Sequence, residues 1–444
     1  MDKIKLKRKN RFINFSEEEE TKLKKYKRNF FNISNDYAFL KIKQITNSSF
    51  NRKIVLPIII LSIFFISTSS LRKRHKQNYL EKMNIIYNNK VYVKKYRIPR
   101  KEALKRGRIY LDKCLEGLLF THNKEFIISK EPKITVIIPV YNDEKMIKPV
   151  IRSAQNQNMT DIEIILINDY SSDNSLNIME EMKKEDPRIK IINNEKNMGI
   201  LYSRSIGVLE AKGKYILNID HDDIFLDKDL FQILYEEAEI GNFDIISFMD
   251  VEINNYNANI SEMVDGPYTK HSDNLIIHQP QLSHFTLFKN ESFKPIDPHI
   301  WGKLIKTETY KKSINILGKE RYSTYNIDNE DLIEVFALSN IAQNYKYVRK
   351  YGIFHFIGQY TSIKTVSEEH KAKMAIFFAE IVFDLSKNED KEYAVNLSIE
   401  IIPTTEENKI QLGKVLKKII DCKHINENYK EKVRQKYKEI GFEN

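Results

Sequence analysis

The residues of this chain best equipped for chemistry fall in three short runs, each directly after an apolar, β-branched segment. They are Tyr141 and Asn142, then Asn168 and Asp169, then Asp220, His221, Asp222 and Asp223. Carboxylates packed this closely repel one another unless a cation or hydrogen-bond donors compensate them. Oxygen-rich sets of this kind suit Mg2+ or Mn2+, and Mg2+ is typically shared between one or two carboxylates and substrate phosphates. A solvated turn, with Asp227 capping the next helix, accounts for the same cluster. The spacing alone leaves metal site and turn both open.

The elements around these runs decide whether they meet. Ile134 to Pro139, Ile162 to Ile167, Ile189 to Ile192 and Tyr215 to Ile219 have the length and β-branched character of buried strands. Helical periodicity runs over Glu144 to Asn156, Ser175 to Lys184 and Leu201 to Ala211. Continuous apolar strands alternating with helices predict a mixed, mostly parallel, doubly wound α/β sheet with helices on both faces. In such sheets the strand carboxyl ends share one edge, and ligands bind in the crevice there. The pattern therefore predicts that all three polar runs converge on a single rim.

Composition limits the function classes. The chain has 444 residues, 41% hydrophobic and 11% aromatic, with 2 Cys, which excludes wholesale disorder and any disulfide scaffold or four-cysteine zinc site. The net charge of +11 is unevenly spread. Residues 1–53 carry 15 basic and 6 acidic side chains, residues 72–130 carry 17 and 5, and residues 131–444 carry 40 and 50. The part expected to fold is acidic, so nucleic acid is not an expected partner.

The positive charge flanks Ile54 to Leu71, a run of 18 residues without a charged side chain. As a helix it would reach ~27 Å, close to the hydrocarbon thickness of a bilayer. Lys53 before it and Arg72, Lys73 and Arg74 after it mark the ends. The sequence thus reads as a polar basic tail (1–53), a transmembrane anchor (54–71), a basic connector (72–130), an α/β domain (131–365) and a C-terminal helical extension (366–444). A charged stretch of this length ahead of the span disfavours a cleaved signal peptide. Basic residues are nearly balanced across the span, so the positive-inside rule assigns no orientation.

From Lys133 to about Phe248 the chain resembles a family 2 glycosyltransferase of the GT-A fold. The resemblance rests on Val136 to Asn142, on Ile167 to Ser175, on Asn197 to Ile200 with Ser203 to Ser205, and on Gly213 to Ile216 leading into Asp220 to Asp223. Trp301 to Leu304 and Asn329 to Leu332 are similar to later landmarks of that family. It implies a nucleotide-diphosphate sugar as donor, with UDP or GDP as carrier, and Mn2+ or Mg2+ as cofactor. Pro139 and Tyr141 would line the nucleotide pocket, and Asp169 would meet the base. Asp220 and Asp222 match the DxD element, Asp222 as metal ligand and Asp220 as metal ligand or nearer the ribose. Asp331 would be the general base in an inverting displacement. Arg204 would approach the phosphates or pair with an acidic residue. Asp223, Glu330, Trp301, Lys303 and His355 are weaker candidates, Trp301 and His355 being equally readable as core residues.

Three departures from the family pattern bear on the donor. Asn168 stands where an aspartate is usual, Tyr170 where glycine is common, and Ser203 and Ser205 flank Arg204 in place of Ala and Asn. A catalytically inactive GT-A domain that binds a sugar nucleotide is the alternative reading. A nucleotidyltransferase would open with a glycine-rich phosphate loop, which Pro139 to Glu144 lacks. The acceptor class, whether glycan, lipid or protein, stays open. Anchor and connector together resemble the layout of type II glycosyltransferases, which implies the membrane of the endoplasmic reticulum or Golgi.

Overall fold

The computed structural model describes residues 98–118, 126–254, 257–266, 275–279, 296–322, 330–357 and 409–442, with strand 85–87, helix 368–385 and a few single positions besides. The basic tail and the apolar segment 54–71 lie outside the described residues. Among the described residues, no helix is long and apolar enough to cross a membrane.

Each apolar run becomes a strand, and all but the edge strand Ile189–Asn193 are buried on both faces. β2 (Ile134–Val140) and β3 (Ile162–Asn168) are buried almost throughout, followed by β4 (Ile189–Asn193) and β5 (Tyr215–Asn218). Between them run α2 (Ile147–Gln155), α3 (Ser175–Glu185) and α4 (Ile200–Glu210). The α2 helix starts three residues later than its periodicity predicts. Asp143 Oδ1 accepts from the Met146 N–H at 3.3 Å and holds residues 144–146 as a turn.

The chain continues through β6 (Ile224–Phe225), α5 (Leu230–Gly241), β7 (Ile245–Ile253), β8 (Val264–Asp265) and β9 (Leu275–His278). It then forms β10 (Lys303–Lys306), α6 (Thr307–Leu317), α7 (Lys319–Tyr322), α8 (Glu330–Ile341) and β11 (Asn344–Phe356). With β1 (Ile85–Tyr87), all strands form one sheet in the order β1-β9-β11-β7-β10-β5-β2-β3-β4, with β6 on β11 and β8 on β7. The helices fall into two separate sets, α1 (Arg100–Leu115) with α2 and α3, and α4 with α6, α7 and α8, as expected when both faces are covered. Gly207 lets α4 settle on β2 and β3: a Cβ there would stand 2.8 Å from Ile137 Cγ2 and 3.0 Å from an Ile167 methyl.

One expectation is corrected. The sheet is mixed, as expected, but not mostly parallel. β2, β3, β4 and β5 run parallel, as does β11 with β7, but β10 is antiparallel to both β5 and β7, and β9 is antiparallel to β1 and β11. Antiparallel neighbours need no crossover helix, so this half has no strand-helix alternation to read. β10 is also only four residues long, with a lysine at each end. Beyond the sheet, Ala379 and Phe383 of α9 (Glu368–Leu385) share a core with Leu412, Val415, Leu416 and Ile419 of α10 (Lys409–Asp421) and Val433 of α11 (Glu427–Glu439).

Candidate active site

Strand register sets the rim. Val140 lies opposite Asn168, Asn168 opposite Asn193, and Ile137 opposite Asn218, so the polar runs after β2, β3 and β5 leave the sheet at one edge. Because β10 enters antiparallel, its leading residues 299–303 arrive at that edge too, with Leu304 opposite Leu217. β6 pairs with the end of β11, Ile224 opposite Phe354, which brings Asp223 against His355.

The β2/β3 side of the rim is tied together by neutral and charge-assisted hydrogen bonds. Asn142 accepts from the Ser172 N–H at 2.7 Å, and Asn168 accepts from the Ser171 N–H at 3.0 Å. Both oxygens of Asp169 are engaged: the N–H groups of Met198 and Gly199 and the Asn194 amide donate to it, each at 2.8 Å. Asp169 therefore fixes the loop that leads into α4. Pro139 is buried inside β2, where it costs no ladder bond. Ile137 O accepts from Ile219 N on the β5 side, and Pro139, two residues on, faces that side past the last β5 pair. Tyr141 and Tyr170 stand out at the rim, 45% and 59% exposed. Tyr170 takes φ +65°, the left-handed conformation that glycine adopts without strain.

The β5/β10 side is crowded with carboxylates. Asp223 is fully buried and held by His355 Nδ1 at 3.1 Å and the Phe356 N–H at 3.1 Å. Burial opposes the imidazolium of His355, but the Asp223 bond and the charges of Asp220 and Asp222 outweigh it and push its pKa up to about 9. Among the described residues, Asp222 takes a hydrogen bond from its own backbone N–H and from no other residue, and burial with its neighbours Asp223 and Asp220 pushes it up to about 7. His221 Nδ1 meets Asp143 at 2.9 Å, which fastens the turn to the end of β2.

Arg204 joins this turn to α8. It is fully buried. Its Nη1 donates to Asp331 Oδ1 at 2.8 Å and to Glu334, while Nη2 makes a longer contact of 3.5 Å with Asp220. Of the two partners open to Arg204 from sequence, these are the acidic ones. Asp331 and Glu330 occupy the first turn of α8. Burial raises the proton affinity of Asp331 against the pull of Arg204, and Asp220 adds to the rise. Burial and Asp331 push Glu330 up to about 8. Asp331 and Asp220 thus share one guanidinium although 111 positions separate them in the chain.

Trp301 is buried and lies between imidazoles, its ring 4.5 Å from His299 and 4.7 Å from His355. Lys303 is fully buried, donates to His299 O, and is pushed down by burial against the attraction of Asp297, Asp331 and Asp250. Asp220, Asp222, Asp223, Arg204, Glu330, Asp331, Trp301, Lys303 and His355 therefore form one neighbourhood, while Pro139, Tyr141 and Asp169 border it across β2. Sequence reasoning missed Asp143, Glu334, His299 and Asp297. Glu334 had a signal, since it stands one helical turn after Asp331; Asp297 and His299 had none without the antiparallel β10.

Residues 135–296 match the family model described as Glycosyl transferase family 2. Over these residues the chain is similar to that family. A cholesterol galactosyltransferase of Borreliella burgdorferi is 28% identical over 245 residues, which cover 55% of this chain and 65% of that protein. The uncharacterized glycosyltransferase EpsJ of Bacillus subtilis is 41% identical over 115 residues, 26% of this chain and 33% of that protein. The chain thus spans less than two thirds of the length of either relative. The putative glycosyltransferase EpsH of Bacillus subtilis is 28% identical over 279 residues, covering 61% of this chain and 74% of EpsH. Among solved structures, S. aureus TarS 1-349 in complex with UDP-GlcNAc aligns with a TM-score of 0.49 at 17% identity, covering 69% of this chain and 89% of that one.

The family implies a divalent metal, and the residues fit one. Among the described residues there is no preformed cluster of three or more ligands. Asp222, however, has no donor from another residue among the described ones and sits beside Asp220 and Asp223 in surplus negative charge. Two carboxylates that leave coordination positions to water and phosphate are the usual protein share of a Mg2+ or Mn2+ site.

Proposed function

We propose that the chain is an inverting glycosyltransferase that moves a hexose from a UDP- or GDP-sugar to an acceptor hydroxyl. The observation that carries this reading is the sharing of Arg204 by Asp331 and Asp220, which puts a candidate base beside the DxD carboxylates. Arg204 engages only Oδ1 of Asp331, so Oδ2 is left to take the acceptor proton. As that proton transfers to Asp331, the acceptor oxygen bonds to the anomeric carbon. The bond from that carbon to the diphosphate oxygen breaks, and the nucleoside diphosphate departs from the opposite face. General-base assistance of this kind is worth typically 10²–10⁴ in rate. Asp222 with Asp220 would hold the Mn2+ or Mg2+, which neutralises the leaving diphosphate when bound. The imidazolium of His355 adds positive charge to the same rim. The exposed Tyr141 borders the nucleotide side.

The apolar run 54–71 and its basic flanks support a single membrane anchor, and we place the domain as the lumenal part of a type II protein of the endoplasmic reticulum or Golgi. Protease protection of the C-terminal domain in intact vesicles tests that placement.

Turnover of UDP- and GDP-sugars by the full chain, with Mn2+ and after EDTA, tests the reaction. Transfer or donor hydrolysis that EDTA abolishes and Mn2+ restores is the expected result, and Asp222→Ala should lose the metal response. A chain that binds these donors without ever cleaving one would refute the proposal.

A further inference from the structure

Glu334 is the anomaly of α8. The helix is buried on every side at this point, with Ile333, Val335, Phe336, Ala337 and Leu338 before and after it in sequence, and Glu334 itself is 1% exposed. A carboxylate taken this far from water is costly unless it is paired and hydrogen-bonded. It is both: Arg204 Nη1 donates to one oxygen, and the Tyr310 hydroxyl donates to the other at 2.9 Å. Tyr310 is reached by the Asn218 amide at 3.4 Å, two residues before Asp220. A buried network of this kind is often no more stabilising than well-packed apolar residues of the same volume. What apolar residues could not do is hold a guanidinium.

The guanidinium needs holding. Arg204 Nε has no partner, so the group is not locked by a two-pronged grip on one carboxylate. Its orientation comes from Glu334, Asp331 and Asp220, and Nη1 is shared between the first two. That sharing has two effects on Asp331. It fixes Arg204 where it meets only Oδ1, and it divides the positive charge between two acids, so the attraction that would make Asp331 a weaker base is tempered.

We infer that Glu334 is a positioning residue for the transfer step: through Arg204 Nη1 it orients Asp331 and keeps its second oxygen free and basic toward the acceptor. This rests on the reading of Asp331 as the base. Glu334→Gln preserves shape but removes the charge, so Arg204 turns its full charge on Asp331 and Asp220. Tyr310→Phe keeps the charge and removes only the second anchor of Glu334.

The experiment uses the full chain and a UDP- or GDP-sugar that it turns over. It measures kcat, donor KM, UDP affinity by calorimetry and melting temperature for Glu334→Gln, Tyr310→Phe, Asp331→Asn and the pair Asp331→Asn with Glu334→Gln. We expect Glu334→Gln to lower kcat about tenfold or more, with donor KM and UDP affinity within twofold of wild type. Tyr310→Phe should lower kcat by less, and adding Glu334→Gln to Asp331→Asn should cost nothing further, because both act on one group. A kcat within twofold of wild type in both Glu334→Gln and Tyr310→Phe overturns the inference, as does a loss in Glu334→Gln that adds in full to that of Asp331→Asn. Should Glu334→Gln fail to fold, Tyr310→Phe decides: lowered kcat with intact KM supports the inference, and unchanged kcat removes it. Full transfer by Asp331→Asn would instead overturn the base assignment itself, which separates the two failures.

Discussion

The two halves of the rim are built on opposite principles. On the β2/β3 side the amides and the carboxylate that sequence reasoning singled out are spent on structure: Asp169 accepts from three donors, and Asn142 and Asn168 both hold the turn after β3. On the β5/β10 side carboxylates outnumber their partners. Asp222 has no donor but its own backbone N–H among the described residues, and Arg204 serves Asp220, Asp331 and Glu334 at once. Satisfied hydrogen bonds hold a shape, whereas unsatisfied buried charge is a demand for something to bind. On the proposed reading, one side of the rim supplies its form and the other its chemistry.

If that division is right, mutations on the two sides should fail differently. The largest effect is expected on the charged side. Asp331→Asn should lower transfer by roughly 10²–10⁴ while leaving UDP binding intact, as read by single-turnover kinetics and calorimetry. The charged side should also govern pH dependence in the ligand-free chain. Burial pushes Glu334 and Asp222 up to about 7 and Glu330 up to about 8, against ordinary values of 4.5 and below. With folded values raised above unfolded ones, the folded state binds protons more tightly, so stability is highest at the acid end. It should fall as pH rises from about 4.5 to 8. Melting temperatures across that window check the sign, and Mn2+ with UDP should recover most of the loss at the upper end. A flat profile would mean that the charge is already compensated.

On the structural side the effects are smaller and are in stability first. Asp169→Ala leaves the Met198 N–H without its acceptor and the Gly199 N–H with only Asn197 Oδ1 at 3.1 Å, and should cost about 1–3 kcal/mol in denaturant unfolding, with weaker donor binding following from the loosened loop. Normal stability with lost turnover would move Asp169 to the chemical side. The smallest change is expected at Tyr170. Replacing it by glycine relieves the left-handed backbone strain and should stabilise the domain by about 1 kcal/mol. Donor affinity should then report whether the exposed ring contributes to binding.

Legibility followed the same boundary. The β2, β3, β4 and β5 strands could be read nearly to the residue, because each is a continuous apolar run and parallel strands must be separated by helices. The strand-end positions of Asn142, Asp169 and Asp222 followed from that alternation. The antiparallel half was not legible: β10 is too short to show a period, and nothing local in Pro298 to Lys303 says that it inserts between β5 and β7. Trp301 and Lys303 could be singled out through the family resemblance, and Trp301 read from sequence as a core anchor, but the burial of Lys303 and the ring and charge partners of both were not visible.

The sequence by itself determined the parallel core, the three polar strand ends and the identity of the acids, since burial and periodicity are local properties of a chain. Only the tertiary structure decided that Arg204 faces carboxylates, that Glu334 shares it with Asp331, and that β10 carries Trp301 to the rim. Pairing across a hundred or more positions depends on which surfaces come into contact, and no window of residues records that.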